Sequence, residues 1–267
     1  MPLAVCATPI GNLEDVTLRV LAELRAADVV LCEDTRHTRT LLERHGIEAR
    51  LLSYHEHNEA ARTAELLPRL EAGERIALVS DAGMPGINDP GAHVVRAALE
   101  AGVPVTVLPG PSAVETALVA SGLVGERYQF LGFLPRGGKA LDAVWEELRH
   151  VEWPAIAFES PRRLPATLRS LAAADPGRSV AVCRELTKSF EEVERGTAAE
   201  VAERFLQSPK GEITLVLGVV RRAEPDVDAA LAAVAELVES GLPRKQAAEL
   251  VARLTGVARN RLYRGSL

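Results

Sequence analysis

Residues 80–91 (SDAGMPGINDPG) combine residue types that could bind a nucleotide-like ligand. They follow an apolar run at 76–79 that predicts a strand, and they precede a predicted helix. Three glycines would let backbone amides approach a ligand closely, and the Asp81 carboxylate could accept hydrogen bonds from ribose hydroxyls or an amino group. Ligands of open α/β sheets bind beyond the carboxyl ends of the strands. A turn-rich surface loop explains the same composition and stays open as an alternative.

Two further loops follow predicted strands. Residues 109–113 open a predicted helix, where free N–H groups suit a carboxylate or a phosphate, although Ser112 acting as an ordinary helix cap explains the pattern as well. Residues 8–17 lack the G-x-G-x-x-G spacing, which disfavours a Rossmann-type dinucleotide site. The chain also lacks a G-x-x-x-x-G-K-[ST] phosphate-binding loop.

Four clusters of polar residues come at the ends of other predicted strands, at 33–37, 54–59, 158–163 and 184–188. Strand ends on one edge of a sheet meet in space, so these clusters could build one cleft; separate solvated loops are the alternative. The His55-Glu56-His57 run resembles a metal site. Alternate residues of an extended chain face opposite sides, however, and H-E-x-x-H is absent. We therefore predict no metal site.

The elements that must position these clusters follow from apolar periodicity. Short β-branched runs alternate with amphipathic helical stretches up to about residue 110, which is typical of βα units on a largely parallel sheet. Those predicted strands are 3–7, 29–32, 50–52, 76–80 and 103–108. A second series predicts strands at 128–132, 155–158, 179–183 and 212–219. The fold class is therefore α/β, with an N-terminal domain at 1–110 and a C-terminal α/β domain at 111–222.

Residues 223–267 form a third region of different character. Predicted helices at 226–240, 245–254 and 257–263 are separated by short turns containing Gly241 and Gly256, a helix-turn-helix pattern. From residue 241 onward six basic residues face one acidic residue, a charge of +5, whereas the whole chain carries −6. The remainder thus carries −11. A basic extension of this kind suits contact with an RNA backbone; a merely solvated face is the alternative.

Composition excludes several other classes of protein. The 267 residues are 47% hydrophobic and 25% charged, as in soluble globular proteins. No signal peptide and no apolar run of the ~18–20 residues that span a bilayer is present, so we expect a cytoplasmic protein without a membrane partner. Aromatic residues, at 4%, are too few for a stacked single-strand-binding surface. The three cysteines form no C-x-x-C pair, so we expect Cys6 and Cys32 to be buried free thiols.

Nine segments in fixed order carry a family resemblance across residues 3–218. They are TPIGNLEDVTLR (8–19), CEDTRHTRTLL (32–42), SYHEHNE (53–59), VSDAGMPGINDPG (79–91), VLPGPSAVETAL (107–118), FLGFLPR (130–136), FESPRRL (158–164), RELTKSFEEVERGT (184–197) and KGEITLVL (210–217). Together they resemble the tetrapyrrole (corrin/porphyrin) methylase superfamily, and specifically its 16S ribosomal RNA (cytidine-2′-O)-methyltransferase branch.

The resemblance implies two α/β domains with the cofactor in the cleft between them, a small C-terminal helical extension, and a homodimer. The implied reaction moves a methyl group from S-adenosylmethionine to the 2′-hydroxyl of a cytidine near the decoding centre of the small ribosomal subunit. We expect the assembled subunit rather than naked 16S rRNA to be the partner. The hydroxyl is a weak nucleophile until a base takes its proton. The sulfonium methyl is already activated and needs no metal.

Candidate residues follow for three roles. The resemblance places these residues at the cofactor: Ile10, Asp81, Gly83, Ile87, Ser112, Ala113 and Gly211. The candidate bases are His55, Glu33, Asp34 and Glu185, with Lys188 as a partner of a phosphate or of the transition state. The candidate RNA-binding residues are Arg36, Arg244, Lys245, Arg259, Arg261 and Arg264. An ordinary ion pair is the alternative for each charged candidate.

Departures from the corrin-type pattern separate the branches. Corrin-type members carry G-x-G-x-G-D after the first strand and G-D-P after the fourth, where this chain has TPIGN and SDAG. Both differences favour the RNA branch; Asn88 stands where that branch commonly has serine. Two other functions stay open. One is a corrin or porphyrin C-methyltransferase, and the other is a DNA-binding regulator whose α/β part senses a small ligand. The second leaves the polar strand-end clusters without a role.

Overall fold

The computed structural model describes residues 2–219 and 226–266. The chain divides into two compact units, Met1–Val219 and Val220–Leu267. The first unit contains two five-stranded sheets, each with helices on both faces, and the second consists of helices. Within the described residues no helix is both long enough and apolar enough to cross a membrane.

The first sheet has the strand order β3-β2-β4-β1-β5, and every neighbouring pair is parallel. Its strands are β1 (Leu3–Cys6), β2 (Val29–Cys32), β3 (Leu51–Ser53), β4 (Ile76–Leu78) and β5 (Val105–Leu108). The helices between and after them are α1 (Leu18–Ala26), α2 (Thr35–Arg44), α3 (Glu59–Glu71) and α4 (Ala92–Glu100). The parallel sheet predicted from the alternating pattern is confirmed.

The central strands β1, β2 and β4 consist of apolar, mostly aliphatic residues because they are buried on both faces of the sheet. Helices α1 and α2 cover one face, and α3 and α4 cover the other. Cys6 and Cys32 are buried free thiols, as expected, and Cys183 is a third. All five strands point the same way, so the loops at their carboxyl ends converge on one edge.

The second sheet is mixed, with the order β6-β7-β10-β8-β9. Strands β6 and β7 are parallel, whereas β10 is antiparallel to both of its neighbours and β9 is antiparallel to β8. Helix α5 packs on one face, and α6, α7 and α8 pack on the other. The strands are β6 (Gln129–Phe133), β7 (Ala155–Glu159), β8 (Ser179–Arg184), β9 (Glu192–Thr197) and β10 (Ile213–Leu217). The helices are α5 (Ala113–Ser121), α6 (Lys139–Leu148), α7 (Leu164–Ala174) and α8 (Ala198–Arg204).

Strand β9 was not predicted from the sequence, and that omission was wrong. Its sequence, EVERGT, contains one aliphatic residue and no stretch of apolar alternation. It forms an edge strand whose residues are half-buried or exposed, so it needs no apolar face. It ends at Thr197, whose side chain accepts from the Glu200 N–H at 3.3 Å in a capping box that starts α8.

The second unit contains helices α9 (Val227–Glu239), α10 (Arg244–Thr255) and α11 (Arg259–Gly265). Its small core includes Val234, Val251 and Leu262, all buried. Helix α10 ends at Thr255, and Gly256, with a φ of +76°, forms the left-handed cap after which the chain turns towards α11. The three helices predicted from the sequence are confirmed; the start of the predicted extension, at 223–225, lies outside the described residues.

Candidate active site

A cavity of about 580 Å³ lies at the edge where the loops of the first sheet meet the strand ends of the second. We call it the main cavity. Strands β7 and β8 both run opposite to β10, so their carboxyl ends and the start of β10 share one edge. The first sheet contributes residues 82–84 and 87–89, and the second contributes residues 158–161 and 211–214. The size is typical of a site for a small organic ligand.

Six of the seven residues predicted to hold the cofactor line the main cavity: Ile10, Gly83, Ile87, Ser112, Ala113 and Gly211. The seventh, Asp81, lines a smaller neighbouring cavity of about 200 Å³, the second cavity. The Oδ1 atom of Asp81 accepts a hydrogen bond from the backbone N–H of Asp34 at 3.1 Å. The residues predicted to bind the cofactor therefore lie together in the structure, and Asp81 faces the second cavity rather than the main cavity.

Gly83 shows why the 80–91 loop needs glycine. Its φ is +81°, a conformation that residues with side chains rarely adopt. The Gly83 N–H donates to Thr8 O at 3.1 Å, and the Thr8 N–H donates to Gly83 O at 2.8 Å. This two-way bridge joins the loop after β4 to the loop after β1, so both loops face the cavity as one rigid rim.

Aromatic side chains that were not predicted as site residues form one wall of the main cavity. The Phe158 ring makes edge-to-face contacts with Phe130, at 5.0 Å between centroids, and with Phe133, at 5.5 Å. Phe133 is 60% exposed and lies at the opening. The available signals were the 158–163 polar cluster, which begins with Phe158, and the FLGFLPR segment (130–136), which contains Phe130 and Phe133.

Ser112 begins α5 without capping it, because its hydroxyl instead donates to the Glu115 carboxylate. The Tyr128 hydroxyl donates to the same carboxylate at 2.6 Å. Burial would raise the pKa of Glu115, but these two hydrogen bonds outweigh it and lower the pKa. A carboxylate therefore occupies the first turn of α5, where an anionic ligand had been one possibility.

Three carboxylates, Glu33, Asp81 and Asp89, lie close enough to affect one another electrostatically. Asp89 lines the main cavity, and burial, helped by the charges of the other two, raises its pKa to about 6. Burial and the Asp81 charge also raise the pKa of Glu33. Asp89 was not a predicted site residue. Its position in the NDPG run, directly before a helix, was the only signal for it.

All four predicted candidate bases, His55, Glu33, Asp34 and Glu185, lie outside the linings of both cavities. Asp34 forms an exposed pair with Arg36, whose Nη2 lies 2.6 Å from Asp34 Oδ2, and the hydrogen bonds from Arg36 strongly lower the pKa of Asp34. His55 faces Asn58, with Nε2 and Nδ2 3.2 Å apart, while its Nδ1 is buried without a hydrogen-bond partner among the described residues. Glu33 also lines neither cavity.

The reason given for excluding a metal from the His-Glu-His run was wrong. The segment is a turn rather than an extended chain, since His55 O accepts hydrogen bonds from the N–H groups of Asn58 and Glu59. The rings of His55 and His57 consequently lie together, with centroids 5.9 Å apart. No group of three or more potential metal ligands is present within residues 2–219 or 226–266.

Lys188 is held between two carboxylates at the rim of the second cavity. Its Nζ donates to Glu185 Oε1 at 2.9 Å and to Glu212 Oε2 at 3.0 Å. Burial works against its charge, but these ion pairs prevail and raise the pKa of Lys188. The hydrogen bond from the Glu212 N–H and that from Lys188 lower the pKa of Glu185. Lys188 is therefore a fixed ammonium group and Glu185 a fixed carboxylate.

Backbone strain marks the segment that presents Lys188. Glu185 has a φ of +51° and Thr187 a φ of +66°, both in the left-handed region that non-glycine residues avoid. The segment is fastened to the first sheet, because Asn12 N–H donates to Thr187 Oγ1 at 2.9 Å. A Cβ on Gly11 would lie 2.6 Å from Lys188 Cγ, so only glycine permits this approach.

The 158–163 cluster has a structural role at its centre. Glu159 is 2% exposed and is neutralised by Arg163, whose Nε lies 2.8 Å from Glu159 Oε1. The Thr167 hydroxyl donates to the same carboxylate at 2.6 Å. The ordinary ion pair, rather than a catalytic carboxylate, accounts for this residue.

Within the second unit, the predicted RNA-binding residues of α10 and α11 lie at the surface. Arg259, Arg261 and Arg264 of α11 are exposed, as is Lys245, and Arg244 is half-buried at the start of α10. Arg36 lies in the first unit and is exposed, with its guanidinium on Asp34.

Comparison with protein families matches residues 2–202 to the tetrapyrrole (corrin/porphyrin) methylases. The chain belongs to this family. The tetrapyrrole-methylase part is followed by a match of residues 223–265 to the RsmI C-terminal HTH domain, which covers helices α9 to α11.

Similar curated proteins share one name. A protein of Mesorhizobium japonicum is 44% identical over 98% of this tetrapyrrole-methylase family member and 90% of its own length. One of Escherichia coli O157:H7 is 42% identical over 99% of this chain and 94% of its own. Both are called ribosomal RNA small subunit methyltransferase I. Similar proteins bearing this name thus match the chain along nearly its whole length.

A solved structure agrees with the family fold. Uroporphyrin-III C-methyltransferase from Thermus thermophilus, in complex with S-adenyl homocysteine, superposes with a TM-score of 0.57 and 22% identity. The match covers 82% of this chain and 98% of that one. It confirms the predicted architecture of two α/β parts.

Proposed function

We propose that this protein is an S-adenosylmethionine-dependent methyltransferase that modifies the 2′-hydroxyl of a cytidine in 16S rRNA, near the decoding centre. The strongest support is the 44% identity, over 98% of the chain, to a protein named ribosomal RNA small subunit methyltransferase I. The TPIGN and SDAG segments, which depart from the corrin-type pattern, favour the RNA branch over a tetrapyrrole substrate.

The residues of the main cavity fit an adenosyl cofactor. The rim of Ile10, Gly83 and Ala113 is small or aliphatic, and Phe158 supplies an aromatic surface. Gly83 leaves its backbone open to the cavity, because the position a Cβ would take is bounded only by Ile10 Cγ2 at 3.7 Å and Pro111 O at 3.8 Å. The carboxylates on the first-sheet side suit a positively charged ligand.

S-adenosylmethionine supplies an activated methyl group, so the protein has to orient the acceptor hydroxyl and take its proton. Asp89 serves best as proton acceptor, since it lines the main cavity and has a pKa of about 6. The charge of Glu33 contributes to the raised pKa of Asp89. The lowered pKa values of Asp34 and Glu185 make both carboxylates weak proton acceptors, and His55, which contacts Asn58, lines neither cavity.

The partners follow from the substrate and the charge pattern. Basic residues at the surface of the second unit would contact the RNA backbone, and the remainder of the chain carries a net negative charge. This charge pattern favours an assembled small subunit over naked RNA. The basic residues are Arg244, Lys245, Arg259, Arg261 and Arg264, with Arg36 in the first unit. A homodimer and a cytoplasmic location complete the proposal.

Labelled methyl transfer tests this function. Wild-type protein is incubated with labelled S-adenosylmethionine and small subunits lacking the modification, and the RNA is then digested to nucleosides. We expect the label in 2′-O-methylcytidine. Cofactor binding without label in subunits or naked 16S rRNA would refute the assignment. A tetrapyrrole whose absorbance changes in that case would indicate the porphyrin branch, and duplex DNA binding alone would indicate a regulator.

A further inference from the structure

The second cavity is a distinct space beside the main cavity. The two share Ile10, Ala82 and Glu212 as lining residues, so they meet at these side chains. One wall of the second cavity comes from α2, through His37, Thr38 and Leu41. The loops after β1 and β4 form most of the remainder, and the second sheet contributes Lys188 and Glu212.

The chemistry of this space is mixed. Its inner wall is apolar, with Leu41 4% exposed and Ile10 6% exposed, and Leu13 is half-buried beside them. Its rim carries the Lys188 ammonium and the Asp81 carboxylate. A ligand that suits it has a flat or compact apolar body together with hydrogen-bond donors and acceptors at its edges.

The geometry of Lys188 suits contact with such a ligand better than a role confined to its ion pairs with Glu185 and Glu212. The strained residues Glu185 and Thr187 and the close contact with Gly11 fix its stem, and one of its two carboxylate partners, Glu212, has a side chain that is 72% exposed. Strain of this kind accumulates where a side chain must be aimed. An ammonium fixed at a cavity rim donates to oxygen acceptors, such as a pyrimidine carbonyl or a backbone phosphate.

We propose that the second cavity receives the target nucleoside, flipped out of the RNA, with its base against Leu13 and Leu41 and an oxygen of the nucleotide on Lys188. This inference rests on the proposed function. Enzymes that modify a nucleoside commonly draw it out of its stack and enclose the base among apolar side chains and edge hydrogen bonds. The cytosine amino group donates, which suits the Asp81 carboxylate. The junction at Ile10 and Ala82 places the ribose beside the main cavity.

Filling the second cavity tests the proposal. In Leu13→Trp the larger side chain occupies the space, whereas Leu18→Trp makes the same change at a position that is 84% exposed and outside both cavities. We expect S-adenosylmethionine affinity, measured by calorimetry, to stay within twofold in both variants. Methyl transfer to unmodified small subunits should fall at least tenfold in kcat/KM for Leu13→Trp and remain near wild type for Leu18→Trp.

A second variant guards against misfolding. The His37 side chain is exposed on α2 and makes no hydrogen bond or ion pair within the described residues, so His37→Trp covers the cavity rim without disturbing the core. We expect the same loss of transfer with an unchanged melting temperature. Lys188→Gln should raise KM for subunits, and Lys188→Arg should restore part of the loss.

The outcomes separate this inference from the function on which it rests. If wild-type protein binds the cofactor but labels no subunits, the proposed function fails. If wild type transfers methyl and both tryptophan variants transfer it equally well, the nucleoside site is wrong. Loss of cofactor affinity in both variants would also overturn it, because the second cavity would then belong to the methyl donor.

Discussion

Replacing Asp89 with asparagine should stabilise the folded protein while it impairs methyl transfer. Burial, together with the charges of Glu33 and Asp81, raises the pKa of Asp89 from 3.8 to about 6. A tenfold change in proton affinity corresponds to about 1.4 kcal/mol, so the ionised carboxylate destabilises the fold by at most about 3 kcal/mol. Solvent screening at this partly buried position reduces the expected gain to about 1–2 kcal/mol.

The pH dependence gives this prediction its sign. A carboxyl whose pKa is raised in the folded state destabilises the fold fully above pH 6, and the effect fades as the pH falls towards 3.8. Asp89→Asn should therefore melt roughly 2–8 °C above wild type at pH 8, at 2–4 °C for each kcal/mol in a chain of this size. The difference should nearly vanish at pH 4.

Thermal melts at pH 4, 6 and 8 measure the effect, with Asp15→Asn as the control because it removes the same charge from an exposed position. The reasoning is refuted if Asp89→Asn melts below wild type at pH 8, or if its advantage does not depend on pH. In the transfer assay the variant should lose about 10²–10⁴-fold in rate, the contribution expected of a general base. Wild-type rate should rise with pH through about 6, the pKa of Asp89.

Three further predictions concern other parts of the chain. Gly211→Ala should lose both stability and cofactor affinity, because the added Cβ would overlap the Glu185 side chain. The control Gly73→Ala has a similar positive φ but open space around the position of the Cβ. Its free energy of unfolding, measured in urea, should fall by only about 1 kcal/mol. Arg163→Met should lower the free energy of unfolding by about 3–5 kcal/mol because it strands the buried Glu159 charge, and adding Glu159→Gln should recover much of it. Substituting alanine for the three arginines of α11 should flatten the salt dependence of subunit binding; an unchanged slope would show that α11 does not touch RNA.

The parallel sheet and its ligand-binding edge were accessible from sequence because their causes are local. Strand β2, VVLC, is apolar throughout since it is buried on both faces, and the polar cluster after it marks the strand's end. Strand β9 was missed for the opposite reason. An edge strand needs hydrogen bonds from a neighbour rather than an apolar face, and nothing in EVERGT indicates that neighbour.

The site could be located from sequence but its proton chemistry could not. Six cofactor candidates come together because glycines and strand ends are visible in the chain. The raised pKa of Asp89 depends on burial and on the carboxylates of Glu33 and Asp81, which lie 56 and 8 positions earlier in the chain and are brought near by the fold. Similarly, the turn at His55 reverses the expected separation of its ring from that of His57.

The fastening between Asn12 and Thr187 has a consequence for how ligands come and go. The loop after β1 and the strained segment after β8 meet through a hydrogen bond at 2.9 Å, with glycine at the point of closest approach. A hinge motion that separates the two sheets would therefore have to break the hydrogen bond between Asn12 and Thr187. We expect the main cavity to be open before ligands bind, with an entrance beside the exposed side chains of Ile87 and Phe133. Ligand entry and release through this entrance, rather than opening and closing of the two α/β parts, should then limit turnover.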